Sequence, residues 1–379
     1  MSRSDAASSD APGAQAGGYG RLERLLHRLA LGSRAVAEMS FDIERARTRP
    51  DPAVAVEGRH VIVAGLARAG TTALMRRFHA SGAFHSLTYR DMPFVLAPSV
   101  WRGLSGRDRR DIAAGERAHG DGISVDADSP EGLEEVFWRV FEGRAYIHAD
   151  HLSPHRPSDE TIEAYRAYVA AVLKARDGTR EGAARYLAKN NNAILRLPSV
   201  AEALPNALIV VPFRAPLAQA ASLRRQHRHF TAAQAEDRFT LDYMGWLAHH
   251  EFGLGHKPFR FGRPPAAPDA DPDGLDYWLG LWVDAYAHLA ETAPVTARFV
   301  AYERLCEDAD HWRALAEAAG IEPEPEGAAP FRTGGGADEE RADPTLLARA
   351  DALYDALDTA ARTGEAVGTP DRDPQANAP

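Results

Sequence analysis

Residues 61–78, VIVAGLARAGTTALMRRF, decide the fold of this 379-residue chain. The first four residues form a short, β-branched run that is typical of a strand buried in a parallel sheet. Gly65 and Gly70 bracket a turn, and from Thr71 onward the apolar side chains have helical spacing. A strand, a glycine-bounded loop and a helix start direct backbone N–H groups and the positive end of a helix dipole at one point. The stretch therefore predicts a phosphate-binding loop.

The residues after the second glycine indicate which class of phosphate compound the loop would bind. The spacing from Gly65 to Gly70 is that of a nucleotide P-loop, but Thr71 and Thr72 stand where a P-loop has lysine and serine or threonine. That lysine holds the β- and γ-phosphates in ATPases and kinases. Arg68 is the only cation inside the loop. A ligand other than a triphosphate is predicted, and the alternatives are a P-loop kinase or NTPase and an ordinary strand–turn–helix without a ligand.

The loop resembles the 5′-phosphosulfate loop of sulfotransferases that use 3′-phosphoadenosine 5′-phosphosulfate (PAPS). Many of those loops read close to P-R-S-G-T-T, whereas residues 67–72 here read A-R-A-G-T-T. The proline and the serine are lost, but the arginine, the glycine and both threonines remain. The resemblance implies that the loop binds the co-substrate, with Arg68 at the bridging oxygen. The co-substrate-binding residues that it implies are Arg68, Ala69, Gly70, Thr71 and Thr72.

A second segment resembles the 3′-phosphate motif of the same family, R-x-P-x-x-x-x-x-S. Residues 207–213 form the clearest buried strand in the chain, and Arg214, Pro216 and Ser222 follow it at the spacing of the motif. An arginine offers a planar, permanently charged fork that suits a phosphate. Arg214 is otherwise only a surface cation after a strand, and Pro216 a helix-start proline. Together with the loop, the motif favours the sulfotransferase interpretation.

Lys189 begins a third segment that is similar to the family's K-T-P-x-x-x-x-x-L. The chain has only three lysines, so a lysine in a candidate site is worth attention. The resemblance implies that Lys189 neutralises the charge that grows on the transferring sulfuryl group; the alternative is a surface lysine. Some relatives use a histidine two places later as the base. Asn191 occupies that place here and cannot take a proton.

The base that accepts the acceptor's proton is predicted to be Asp91, a carboxylate shortly after the helix of the loop, as in relatives that carry the loop arginine. The alternatives are His85, Glu131 and Glu135. Asp91 is otherwise a turn residue, or an ion-pair partner of Arg90 or another nearby cation. The carboxylates at 131, 134 and 135 are expected mainly to be the solvated first turn of a helix that starts near residue 129.

Strand and helix patterns alternate along the chain and predict a three-layer α/β fold, with a parallel sheet flanked by helices and a P-loop-like nucleotide site. We expect a disordered tail at 1–20, N-terminal helices at 21–57, a sulfotransferase domain at 58–362 and a second disordered tail at 363–379. Residues 300–305, VAYERL, resemble the family's late V-x-Y-E-x-L strand. Arg332, in the glycine-rich loop that follows later, is a further candidate for binding the co-substrate.

Composition limits the remaining functions. A net charge of −10 argues against a nucleic-acid binder. The single cysteine, Cys306, excludes internal disulfides and a cysteine zinc cluster, and no apolar run reaches the length of a membrane span. We therefore expect a cytoplasmic, metal-independent sulfotransferase that converts PAPS to 3′-phosphoadenosine 5′-phosphate (PAP). Its acceptor would be a hydroxyl or amine of a small molecule, carbohydrate or lipid, and the non-enzymatic alternative is an inactive sulfotransferase-like scaffold.

Overall fold

The computed structural model describes residues 20–105, 115–116, 124–125, 130–176, 185–323, 331–332, 341–364 and 367. Its strands are β1 (Val61–Val63), β2 (Phe84–His85), β3 (Gly115–Glu116), β4 (Ser124–Val125), β5 (Arg185–Lys189), β6 (Leu208–Phe213) and β7 (Ala297–Ala301). Its α-helices are α1 (Arg21–Gly32), α2 (Arg34–Thr48), α3 (Ala53–Glu57), α4 (Thr71–Ala80), α5 (Pro98–Ser105), α6 (Glu135–Tyr146), α7 (Asp159–Lys174), α8 (Leu197–Ala203), α9 (Pro216–Glu236), α10 (Arg238–Trp246), α11 (Leu275–Thr292), α12 (Tyr302–Glu307), α13 (Ala309–Ala319) and α14 (Pro344–Thr363). Short 3-10 helices span Tyr89–Asp91 and Asn191–Leu195.

Five strands form one parallel sheet in the order β2-β5-β1-β6-β7. The strand before the phosphate loop, β1, lies at its centre, so Val63 pairs with Lys189 on one side and with Val210 on the other. The carboxyl ends of β1, β5 and β6 therefore meet at one edge, where ligands bind in parallel α/β sheets. The predicted parallel α/β fold is confirmed.

Successive side chains of the central strands point to opposite faces of the sheet, and the core is therefore divided into two layers. Ile62 faces a large cluster that includes residues of α6, α7, α9 and α11, whereas Val61 and Val63 face a smaller one. The smaller cluster holds Phe78 of α4 and Trp312 of α13, whose rings lie 5.1 Å apart. Because each face of the sheet buries apolar side chains against helices, the predicted three-layer arrangement follows directly.

The N-terminal helices pack against the same large cluster. Leu31, Ala37, Phe41 and Ala55 are buried in it, and Phe41 makes edge contacts with aromatic rings of α6 and α7. The two tails expected to be disordered lie almost entirely outside the described residues, as does the glycine-rich part of the loop that contains Arg332.

The helix predicted to start near residue 129 begins later, at Glu135. Residue 129 itself lies outside the described residues, but Pro130 forms an isolated bridge with Thr88, and the Glu131 N–H donates to the Leu87 carbonyl at 3.2 Å. This pairing keeps the backbone extended where a helix start was expected. The expectation of a solvated acidic first turn is also wrong, because all three carboxylates, those of Glu131, Glu134 and Glu135, are buried.

Candidate active site

The phosphate loop connects β1 to α4 and depends on both of its glycines. At Gly65 the chain passes so close to β6 that a Cβ atom would lie 2.9 Å from the Pro212 carbonyl oxygen. Gly70 has a φ of 84°, and a Cβ atom there would lie 2.1 Å from the Tyr302 ring. Gly70 precedes α4 without a side chain to cap it. The first N–H groups of a helix have no partner inside the helix, so this terminus suits an anion.

Arg68 connects the two predicted phosphate segments. Its φ is 67°, an uncommon value for a residue other than glycine, and such strain is concentrated at ligand sites. The Arg68 Nε atom donates a hydrogen bond of 3.1 Å to the Ser222 hydroxyl, across 154 residues of sequence. Two segments that the sequence indicated independently are therefore in direct contact in the fold.

A residue that the sequence did not single out, Gln219, supports this junction. Its side chain is fully buried, and its Nε2 atom donates to the Ala67 carbonyl at 2.9 Å. The Trp282 indole N–H in turn donates to Gln219 Oε1 at 3.0 Å. Gln219 lies one helical turn before Ser222 on α9, so its position on the loop-facing side of that helix was the only available signal.

Arg214 lies at the end of β6, and its guanidinium is near Glu303. Its side chain is 11% exposed, and its Nε atom lies 3.8 Å from Glu303 Oε1, which also accepts from the Ala215 N–H at 2.9 Å. Arg332 reaches the same region through Tyr302, whose ring covers Gly70 and whose hydroxyl donates to the Arg332 carbonyl at 3.2 Å. Glu303 and Tyr302 belong to the segment that resembled the family's late strand.

Lys189 ends β5 beside the phosphate loop and is largely buried. Its side chain passes Gly132, where a Cβ atom would lie 3.0 Å from Lys189 Cδ and 2.8 Å from its carbonyl oxygen. Any larger residue at 132 would displace the lysine. The next N–H, that of Asn190, donates to the Val63 carbonyl at 2.9 Å and so continues the pairing of β5 with β1.

Two buried carboxylates accept hydrogen bonds from the side chain of Asn190. Its Nδ2 atom donates to Glu135 Oε2 at 2.8 Å and to Glu134 Oε1 at 3.2 Å. Glu135 forms a bidentate ion pair with Arg196 at 2.8 and 2.9 Å. Burial raises the pKa of Glu134, and hydrogen bonds from neighbouring tyrosine, asparagine and tryptophan side chains only partly oppose that shift. Because Glu134 and Glu135 are both buried, neither carboxylate can contact an acceptor.

Asp91, the predicted base, has no solvent exposure. Its carboxylate accepts hydrogen bonds from Arg102 at 3.1 Å and Arg176 at 2.6 Å, and from the Thr88 N–H at 2.8 Å. This environment favours the alternative of an ion-pair partner, although the cations are Arg102 and Arg176 rather than Arg90. Among the other candidates, Glu131 accepts from the Tyr89 hydroxyl at 2.8 Å and from the Gly132 N–H.

Within the part of the chain that the structure describes, no cluster of three or more histidine, cysteine, aspartate or glutamate side chains is arranged to hold a metal ion. Likewise, none of the described helices has both the length and the apolar character needed to cross a bilayer.

The profile of the sulfotransferase family matches residues 60–255, more than half of the chain, and the protein therefore belongs to that family. Among solved structures, it is similar to sulfotransferase STF1 from Mycobacterium tuberculosis H37Rv, at 14% identity and a TM-score of 0.42, over 81% of this chain and 80% of that one. STF9 from Mycobacterium avium gives 16% identity and a TM-score of 0.42, over 87% and 74%. A sulfotransferase from Alicyclobacillus acidocaldarius gives 15% and 0.39, over 80% and 96%. No curated protein sequence matches the chain.

Proposed function

We propose that the protein transfers a sulfuryl group from PAPS to a hydroxyl or amine of a small-molecule, carbohydrate or lipid acceptor. The observation that carries this proposal is the hydrogen bond from Arg68 to Ser222, because it joins the loop that we propose for the 5′-phosphate to the segment that we propose for the 3′-phosphate. A nucleotide with phosphates at both ends of its ribose requires two such anion sites on one sheet edge. A triphosphate requires one site with a lysine, which this loop lacks.

The donor set fits such a nucleotide. The N–H groups from Ala69 to Thr72, at the start of α4, would hold the 5′-phosphate together with the threonine hydroxyls. The guanidinium of Arg214 and the hydroxyl of Ser222 would hold the 3′-phosphate, and Arg332 is the further cation of that region. Arg68 would act at the bridging oxygen, where negative charge collects as the leaving group departs.

Lys189 would act on the sulfuryl group itself. It ends the strand next to β1, and its Cα is paired with that of Val63, two residues before the loop begins. Sulfuryl transfer resembles phosphoryl transfer in that the protein chiefly positions the reactants and stabilises the charge on the equatorial oxygens. A buried ammonium at this edge provides that charge with little reorganisation.

Ligand-dependent thermal stability tests the nucleotide assignment. PAP should raise the melting temperature, because a ligand that binds only the native state stabilises it. Arg214→Ala should remove most of the shift, and Arg238→Ala, an exposed arginine on α10, is the matched control that should retain it. ATP with Mg²⁺ should shift the temperature far less. An equal shift with ATP and Mg²⁺ would support the P-loop NTPase alternative instead.

Turnover tests the assignment as an enzyme. PAP release from PAPS should occur with at least one member of a panel of phenols, aliphatic alcohols, sugars and amines. Lys189→Met should lower turnover much more than it lowers the PAP-induced shift. Lys174→Met is the control, because Lys174 is the last residue of α7 and donates to the carbonyl of Thr48, the last residue of α2. A PAP-induced shift without turnover on any acceptor would indicate a scaffold.

A further inference from the structure

A carboxylate outside all the predicted motifs reaches the candidate site. Glu251 lies in the segment between α10 and α11, and it lines a small cavity together with Leu66 and Ala67 of the phosphate loop. The lining of the cavity also includes Phe259 and Trp278. The cavity volume is about 20 Å³, which is room for one water-sized group.

Asn191 fixes the position of this carboxylate. Its Nδ2 atom donates a hydrogen bond of 2.9 Å to Glu251 Oε1. Asn191 lies two residues after Lys189, at the carboxyl end of β5, so the contact brings Glu251 to the side of the site where the lysine acts. Asn191 itself has no group that accepts a proton at neutral pH. The Glu251 carboxylate, which Asn191 holds in place, can accept a proton.

The charges around Glu251 keep it ionised. Burial alone would raise the pKa of Glu251, but the neighbouring His249, the hydrogen bond from Asn191 and the charge of Lys189 together hold that pKa below its usual value. The buried acids of the region, by contrast, are fully engaged by other side chains. Glu135 is closed in by an arginine, a tyrosine and Asn190.

We infer that Glu251 accepts the proton of the acceptor group during sulfuryl transfer. The acceptor oxygen or nitrogen forms a bond to sulfur, and the bond between sulfur and the bridging oxygen breaks. The electron pair of that bond leaves with PAP, and the acceptor proton moves to the Glu251 carboxylate. Lys189, on the same side, stabilises the sulfuryl oxygens. This inference rests on the proposed function and names its catalytic base.

The decisive variant is Glu251→Gln, because a glutamine side chain keeps the shape and can still accept the hydrogen bond from Asn191. It should lower turnover of PAPS with the best acceptor of the panel by about a hundredfold or more, the scale of a lost general base. The PAP-induced thermal shift should be unchanged. Glu163→Gln, at an exposed position of α7, is the matched control and should turn over like the wild type.

Chemical rescue separates a base from a structural contact. In Glu251→Ala, added formate or acetate should restore a measurable fraction of turnover, because a small carboxylate can occupy the space and take the proton. Formate or acetate should not rescue Lys189→Met, because that variant lacks an ammonium group, which a carboxylate cannot replace. Turnover of Glu251→Gln within threefold of the wild type, or a large loss without rescue of the alanine variant, overturns the inference.

The same experiment separates failure of this inference from failure of the proposed function. If the wild type shows neither a PAP-induced shift nor turnover on any acceptor, the proposed function is wrong and the inference falls with it. If the wild type turns over and His249→Gln loses activity while Glu251→Gln does not, the function stands and the base is His249.

Discussion

Replacement of Arg196 by methionine should be among the most destabilising single changes in this protein. Arg196 is 1% exposed, forms two hydrogen bonds with Glu135, and stacks on the rings of Trp138 and Tyr146 at 5.1 and 4.6 Å. Methionine would preserve part of the packing but leave Glu135 charged and buried. Removal of one member of a buried ion pair costs about 3–5 kcal/mol of unfolding free energy.

Urea unfolding measures this loss, and a second substitution tests its cause. In Arg196→Met with Glu135→Gln, the buried carboxylate that lost its arginine is also removed, and the double variant should be more stable than the single one by about 1 kcal/mol or more. Arg156→Met removes one member of an exposed pair with Glu202 and should cost less than about 1 kcal/mol. The reasoning is refuted if Arg196→Met costs no more than Arg156→Met.

Three further predictions concern the loop, acid stability and Asp91. Gly70→Ala should lower both stability and the PAP-induced thermal shift, because a φ of 84° and the Tyr302 ring exclude a methyl group; a normal shift would contradict it. Burial lowers the pKa of His60 from 6.5 to about 4, so only the unfolded chain takes up this proton between those values. Stability should therefore fall by about 3 kcal/mol as the pH drops from 6.5 to 4, less so in His60→Gln, as measured by urea unfolding at each pH. Asp91→Asn should lower stability, since it removes the buried carboxylate that pairs with Arg102 and Arg176, and change turnover per folded molecule less than tenfold; a hundredfold loss of turnover at unchanged stability would support Asp91 as the base.

Local patterns were sufficient to predict most of the fold. The run at 61–64, the buried strand at 207–213 and the helix after Gly70 each carry their own periodicity, and each forms within a residue or two of its predicted limits. Side chains alternate over residues 83–90, yet β2 covers only Phe84–His85, because the chain turns into a 3-10 helix at Tyr89. That turn depends on Asp91 accepting the Thr88 N–H, a contact that alternation of side chains does not indicate.

The acidic residues at 134 and 135 show why a solvated first turn was predicted where the structure has buried carboxylates. Near a helix start, carboxylates are usually solvated, and nothing within ten residues indicates otherwise. Most of their partners, including Tyr165, Tyr186 and Arg196, lie on other elements. A buried charge is tolerated only where distant residues supply its hydrogen bonds, so the burial of these acids could be found only once the sheet had brought those residues together.

The base likewise could not be identified from local sequence, because its contacts are with residues that are distant in the chain. Arg68, Arg214 and Lys189 were indicated by the sequence because each stands in a segment that resembles a motif of the family. A base must only reach the acceptor, and it can come from any segment that covers the site. Glu251 lies 60 residues after Asn191, and a single side-chain hydrogen bond connects them. The proposed anion sites thus lie at strand ends, whereas the proton acceptor that we infer lies in the segment between α10 and α11. A change in that segment would therefore alter the acceptor specificity and the base together.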